Sequence, residues 1–143
     1  MIFLGRTIQH VIYEEGKTVT KNTYDSVISV LPGIEYSVKV EVLRNDLGGE
    51  AEKVSQIALN GNNIGNCNPD GGDYDCTFFD CSSTLLSKSI SSTTGSVDVS
   101  LTYQGHSWDC DCNKDTWQCA RENTNTGFTP MVAVARITLT PGS

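Results

Sequence analysis

All the cysteines of this chain lie in one central stretch, and they limit what the chain can fold into. They form two clusters of three, Cys67, Cys76 and Cys81, followed by Cys110, Cys112 and Cys119. An even number of cysteines in a short chain is typical of a disulfide framework, which persists only in oxidising compartments. Zinc is not favoured, because Cys-x-x-Cys pairs are absent and the two histidines, His10 and His106, are not at finger spacing. We therefore expect all six cysteines in disulfides and an extracellular location.

The sequence does not determine which cysteines are bonded to each other, although one constraint applies. Cys110 and Cys112 are two residues apart, so on a strand both would point to the same face. A bridge between such near neighbours would be strained, and each is expected to have a different partner. The sequence thus predicts at least one bridge between the two clusters. Each native bridge in a small secreted domain typically contributes about 2–5 kcal/mol.

Hydrophobic residues recur with a period of two along most of the chain. Residues 36–42 and 96–103 alternate without a break between apolar and polar side chains. The dipeptide Asn60-Gly61 predicts a type I′ hairpin, because both central positions of that turn need positive φ. Residues 66–75 are rich in Gly, Asn and Asp and predict a loop, whereas the apolar run 131–139 predicts a strand buried on both faces.

About seven or eight short strands with turn signals between them predict an all-β fold, an antiparallel β-sandwich in a single domain spanning residues 1–143. A jelly roll is the first choice, because the strand count approaches its eight. An immunoglobulin-like or fibronectin-like sandwich is the second. The stretch Pro32-Gly-Ile-Glu-Tyr36-Ser-Val-Lys-Val resembles the tyrosine-bearing strand of fibronectin type III domains, which implies a sandwich of that second kind.

The charge balance narrows the range of partners. Ten Lys and Arg residues against seventeen Asp and Glu give a net charge of −7. Nucleic acids and anionic membranes are bound through an excess of Lys and Arg, so neither is an expected partner. No apolar run approaches the length that a membrane span requires.

The acidic loop between the first cysteines is a candidate calcium site. Calcium takes six to eight oxygen ligands, and this region is rich in carboxylates. The candidate ligands are Asp70, Asp73, Asp75 and Asp80. The loop is not an EF-hand, because Thr77 stands where a bidentate Glu belongs. The alternative is a solvated turn, since Asn, Asp and Gly are the residues that turns use. No cofactor is expected, with calcium as the one alternative.

Aromatic residues near the cysteines suggest a carbohydrate site. Tyr74, Trp108 and Trp117 lie within or beside the clusters and can stack on the faces of sugars. The alternative is that tryptophan covers disulfides and fills the core, as in immunoglobulin sandwiches. At least one of Phe78 and Phe79 is expected in the core.

A hydroxyl-rich segment, residues 82–96, follows the first cysteine cluster and is a candidate assembly or mineral contact. Ten of its fifteen residues carry hydroxyl groups. The candidate contacts are Ser82, Ser83, Thr84, Ser87, Ser89, Ser91, Ser92, Thr93 and Thr94. Such a stretch can hydrogen-bond a neighbouring chain or a hydroxylated mineral such as silica, and with few charges it can offer a pairing edge. The alternative is an exposed strand and loop with its apolar residues turned inward.

Catalysis has little support, because working triads are assembled from distant segments and not from neighbours such as His106 and Asp109. The sequence predicts no enzyme. It favours a non-catalytic secreted domain that binds an extracellular protein partner or a second copy of itself. The setting would be an assembly, a matrix or a mineral-associated structure. The alternative is a carbohydrate-binding module with a glycan as partner, either with or without a dependence on calcium.

Overall fold

The computed structural model describes residues 6–15, 23–45, 53–67, 75–104, 110–112, 115–122 and 131–142. Strands make up most of the described chain. In chain order they are β1 (Ile8–Glu15), β2 (Thr23–Ser29), β3 (Glu35–Asn45), β4 (Lys53–Leu59), β5 (Asn62–Cys67), β6 (Asp75–Asp80), β7 (Ser89–Ser91), β8 (Ser96–Gln104), β9 (Cys110–Cys112), β10 (Cys119–Glu122) and β11 (Met131–Pro141). One short 3-10 helix, Ser82–Thr84, lies between β6 and β7. Within these ranges no helix is long and apolar enough to span a membrane.

The main strands form two antiparallel sheets that pack face to face. The first sheet has the order β1-β11-β3-β6, and β7 also pairs with β3. The second sheet has the order β2-β8-β4-β5. Strands β9 and β10 form a separate two-stranded sheet. The predicted all-β antiparallel sandwich is confirmed.

The core lies between the sheets and follows the alternation of the sequence. On β3 the inward residues are Tyr36, Val38, Val40 and Val42, all at most 6% exposed. On β8 they are Val97, Val99, Leu101 and Tyr103, also at most 6% exposed. Burying one such aliphatic side chain is worth about 1.5–3 kcal/mol, so the period-two pattern sets which face of each strand meets the other sheet.

Strand β11 differs in part from its prediction. Ala135, Ile137 and Leu139 are completely buried and face the core. Arg136, which lies between them on the other face, pairs with Glu41 of β3. The apolar run is therefore not buried uniformly on both faces, because it carries a charged residue in its centre.

The hairpin between β4 and β5 has the predicted geometry. Asn60 has φ 50° and Gly61 has φ 79°, the two positive values that a type I′ turn needs. The Asn60 side chain also accepts a hydrogen bond from Asp98 N at 2.9 Å, which ties the turn to β8. The loop predicted for residues 66–75 begins later than expected, since β5 continues to Cys67. Residues 68–74 lie outside the described residues.

One side of the sandwich is closed by a disulfide between the sheets. Cys67 ends β5 in the second sheet, Cys81 follows β6 in the first, and their sulfur atoms are bonded. The chain after Cys81 then leaves the first sheet and reaches β5, where Leu86 N donates to Ile64 O at 2.5 Å. Gly65 allows this approach, because a Cβ atom there would lie 2.8 Å from the Thr84 carbonyl oxygen.

The opposite side and one end are held by hydrogen bonds. His10 Nε2 of β1 lies 2.7 Å from Ser26 Oγ of β2, joining the edge strands of the two sheets. Partial burial lowers the pKa of His10, so its neutral form is favoured there. At the turn before β3, Leu31 N donates to Tyr36 Oη at 3.0 Å. A tyrosine hydroxyl bonded to backbone a few residues upstream is also found in immunoglobulin-like sandwiches.

Replacing both cysteines of the inter-sheet bridge, Cys67→Ala with Cys81→Ala, should lower the free energy of unfolding by about 3 kcal/mol. The reason is that the bridge closes a short loop, with 14 residues of sequence separation, and so restricts the unfolded chain. Urea denaturation followed by circular dichroism measures this change. An unchanged denaturation midpoint would show that the bridge does not stabilise the fold.

Candidate functional site

The outer face of the first sheet carries a cluster of aromatic and charged side chains. Because Val40 and Val42 of β3 face the core, Glu41 and Leu43 face outward. They are nevertheless only 8% and 3% exposed. Another part of the chain must therefore cover this face at the end of β3.

That cover comes from the region of the second cysteine cluster. Strand β9 contacts β3, β6 and β11, the three strands that carry the aromatic and charged side chains of the outer face. Trp117, which lies between β9 and β10, is half-buried and packs against the hydrophobic core residues. Its φ of 56° turns the backbone sharply at this point. The second cysteine cluster thus forms a small third layer on the outside of the sandwich.

An ion pair lies at the centre of this outer cluster. Arg136 Nε donates to Glu41 Oε1 at 2.9 Å and Arg136 Nη2 donates to Glu41 Oε2 at 3.0 Å, a bidentate arrangement. These hydrogen bonds raise the pKa of Arg136 above its ordinary value. Lys39 Nζ approaches Glu41 Oε2 at 4.0 Å, but its side chain is half exposed. The bidentate pair satisfies a carboxylate that is largely removed from water.

The aromatic residues stack beside this ion pair. The Arg136 guanidinium lies over the Phe78 ring, 4.3 Å from its centroid. Phe78 in turn meets Trp117 edge to face, with centroids 5.1 Å apart. Together with Thr77 these three residues line an open hollow of about 300 Å³. The hollow offers two aromatic surfaces and a guanidinium that is already committed to Glu41, so it is suited to apolar and stacking contacts more than to anion binding.

The hydroxyl-rich segment follows the edge of the first sheet. Cys81 N donates to Val40 O at 2.8 Å, Val38 N donates to Lys88 O at 2.9 Å, and Gly33 N donates to Ser92 O at 2.9 Å. Between Cys81 and Lys88 the chain makes its excursion to β5. After it, β7 pairs with β3 through Glu35↔Ser91 and Ser37↔Ser89.

Some hydroxyl groups of this segment are used within the chain. Thr84 Oγ1 donates to the carbonyl oxygens of Cys81 and Asn66. Ser92 is 5% exposed and donates to Ser96 O at 2.7 Å. Ser87 Oγ donates to Ser89 O at 3.1 Å. These groups hold the segment in place and are less available to a partner.

Most residues of the segment face solvent, including Thr84 and Ser87, whose hydroxyl groups also bond within the chain. The exposed hydroxyl residues are Ser83, Thr84, Ser87, Ser89, Ser91, Thr93 and Thr94, whereas Ser82 is half-buried. Leu86 is 80% exposed, the highest value among the large hydrophobic side chains of the described residues. The expectation that the apolar residues of this segment all turn inward holds for Leu85, at 6% exposed, but not for Leu86.

The proposed calcium ligands are only partly described. Asp70 and Asp73 lie outside the described residues, and Asp75 is described only as backbone in β6. Asp80 is exposed, and its Oδ1 accepts a hydrogen bond from Ser82 N at 2.8 Å. The interactions with Ser82, with its side chain first and then with its backbone N–H, lower the pKa of Asp80. Among the described side chains, no group of three or more His, Cys, Asp or Glu is placed to hold a metal ion.

The predicted aromatic site is likewise divided. Trp117 is described and belongs to the outer cluster, packed edge to face on Phe78. Tyr74 and Trp108 lie outside the described residues, as do His106 and Asp109. Phe79 packs against the core as predicted.

The sequence analysis predicts neither Glu41 nor Arg136 as part of this aromatic and charged cluster. It also does not predict that Phe78 faces outward. A usable signal exists for one of them. Arg136 is the only charged residue in the run 131–139, and a charge in a central strand needs a partner. Nothing in the sequence indicates that the partner is Glu41, since that choice depends on the register of β11 against β3.

The chain matches no protein-family model, and no match is found among curated proteins or solved structures.

Removing either member of the ion pair, by Glu41→Ala or Arg136→Ala, should destabilise the fold more than Lys39→Ala. A double-mutant cycle on Glu41 and Arg136 should give a coupling energy of about 1–2 kcal/mol, because each single variant leaves a desolvated charge. Lys39→Ala is the matched control, with an expected effect of about 0–1 kcal/mol for an exposed pair. Equal losses of stability at all three positions would show that the Glu41–Arg136 pair stabilises the fold no more than an exposed pair.

Proposed function

We propose that this domain is a non-catalytic secreted module that works by contact. It binds an extracellular protein partner or a second copy of itself, in an assembly, a matrix or a mineral-associated structure. The observation that supports this proposal best is the exposed, nearly uncharged edge formed by the hydroxyl-rich segment. Lys88 is the only charged residue between Ser82 and Ser96.

The outer side of this edge is not paired with a further strand of the described residues, although Ser89 O accepts the bond from Ser87 Oγ. Strand β7 pairs with β3, and no second strand of the described chain pairs with it. A sheet edge of this kind can add a strand from another molecule, with main-chain hydrogen bonds providing affinity. Ser89 and Ser91 are exposed on either side of Ile90, so hydroxyl groups accompany the backbone donors and acceptors. The same exposed hydroxyl groups suit a hydroxylated mineral surface such as silica.

An exposed leucine beside this edge adds an apolar contact. A side chain with the exposure of Leu86 gains about 1.5–3 kcal/mol if a partner buries it fully. It lies next to residues that are fixed by the disulfide and by the Leu86 N to Ile64 O bond, so little backbone ordering is needed on binding.

We also propose that the sandwich is of the jelly-roll type. Its eight main strands, taken in chain order without β7, β9 and β10, pair first with last, second with seventh, third with sixth and fourth with fifth. The corresponding pairs are β1–β11, β2–β8, β3–β6 and β4–β5. One long antiparallel hairpin wrapped across two sheets gives this arrangement, which supports a jelly roll over an immunoglobulin-like order. The inter-sheet disulfide supports secretion, because such bridges persist in oxidising compartments.

Replacing Leu86 by Ser should weaken binding at this edge by about tenfold or more, because the apolar contact is lost. The matched control is Val27→Ser, which removes a side chain that is 59% exposed on the other sheet. Sedimentation detects self-association, and affinity capture from matrix extracts with identification by mass spectrometry detects a partner. Binding that survives Leu86→Ser and is lost in Val27→Ser would place the interface elsewhere. A chain that stays monomeric and captures nothing would contradict the proposal.

The alternative is a carbohydrate-binding module, and the hollow beside Trp117 is the observation that favours it. A sugar face can stack on a half-exposed aromatic ring, with the Thr77 hydroxyl within the same hollow. Trp117→Ala should then abolish binding on a glycan array, while Trp117→Phe should retain part of it. Release of bound chain by a chelator would indicate calcium dependence. An array with no bound glycan would remove this alternative.

A further inference from the structure

The four cysteines outside the inter-sheet disulfide lie on three strands whose backbones are close together. Cys76 lies on β6, Cys110 and Cys112 lie on β9, and Cys119 lies on β10. Four cysteines allow three connectivities. The backbone register of these strands distinguishes among them.

The register favours one bridge within the small sheet. Cys112 and Cys119 are directly opposite each other on antiparallel strands, whereas Cys110 is opposite Glu122. Opposite residues in an antiparallel ladder have Cα atoms about 4.5–5.5 Å apart, which is within the range that a disulfide spans. A diagonal pair, as Cys110 and Cys119 would be, is about 7–8 Å apart and is poorly placed for a bridge.

The remaining pair joins the small sheet to the sandwich. Cys110 and Cys112 are next-nearest neighbours on one strand, so a bridge between them would be strained. Once Cys112 is assigned to Cys119, Cys110 is left with Cys76. Strand β9 contacts β6, the strand that carries Cys76. We propose that the chain carries two further disulfides, Cys112–Cys119 and Cys76–Cys110.

Each of these bridges forms by a two-electron oxidation. Two thiols lose two protons and two electrons and become one disulfide, while a disulfide oxidant such as oxidised glutathione is reduced to two thiols. The Cys76–Cys110 bridge ties the third layer, with Trp117, to the strand that carries Phe78. The Cys76–Cys110 bridge then ties the cover over Glu41 and Leu43 to the sandwich, and the Cys112–Cys119 bridge closes the small sheet itself, independently of what the domain binds.

Proteolysis before aspartate separates all six cysteines. Cleavage at the N-terminal side of aspartate places them in the peptides 46–69, 75–79, 80–97, 109–110, 111–114 and 115–143. The native chain is first treated with an alkylating agent at acid pH, to trap free thiols and prevent exchange, and is then digested without reductant. A reduced digest, in which every linked mass disappears, is the control.

Mass spectrometry should find peptide 75–79 linked to 109–110 and peptide 111–114 linked to 115–143. The already described bridge should link 46–69 to 80–97. Linkage of 75–79 to 111–114 or to 115–143 would overturn the proposal. An alkylated cysteine in 75–79, 109–110, 111–114 or 115–143 would overturn it as well.

Single replacements provide a second measurement that does not depend on digestion. In Cys76→Ser the one thiol that becomes alkylated should be Cys110, and in Cys112→Ser it should be Cys119. Alkylation at Cys119 in the Cys76→Ser chain would contradict the assignment. The thiol is identified after unfolding in the alkylating agent, so the result does not require that either variant be stable.

Discussion

The covalent link between Cys67 and Cys81 is the constraint on which much of this structure depends. It joins the last residue of β5 in one sheet to the residue that follows β6 in the other. A sandwich whose sheets are related only by packing can slide or splay at its open sides, because apolar contacts are not directional. Here one side is fixed, and backbone bonds from the segment after Cys81 satisfy part of the β5 edge. The hydroxyl-rich edge is presented by a segment that begins at this bridge.

The same design explains how polar groups are placed on the first sheet. Its outer face is not a simple solvent-facing surface, since β9 and Trp117 lie over the end of β3. Burial there requires that Glu41 have a strong partner, and Arg136 provides two hydrogen bonds to its carboxylate. The guanidinium also lies over the Phe78 ring, so the Arg136 side chain contacts both the Glu41 carboxylate and the aromatic surface. Two different surfaces result: an open aromatic hollow beside Trp117, and an open edge rich in hydroxyl groups.

How far sequence alone predicts these features depends on whether the determinant is local. The inward residues of β3 and β8 follow from a period of two, and the positive φ values of Asn60 and Gly61 follow from the preferences of one dipeptide. The end of strand β5 lies where the sequence predicts a loop, because Asn62–Cys67 is rich in Asn and Gly and is held as a strand by pairing with β4. The Glu41–Arg136 pair depends on the register between strands that are distant in the chain, which no local pattern encodes. The exposure of Leu86 likewise depends on the excursion to β5.

Hydrogen exchange shows directly whether the inter-sheet bridge fixes this side of the sandwich. The measurement compares amide protection in the native chain and in the chain without the Cys67–Cys81 bridge, under conditions where both are folded. Without the bridge we expect faster exchange at Leu86 and at position 81, whose amides bond to Ile64 O and Val40 O. Protection in the paired centre of β11 and β3 should change much less. Equal protection at Leu86 and at position 81 in the two chains would show that the bridge does not fix this side of the sandwich.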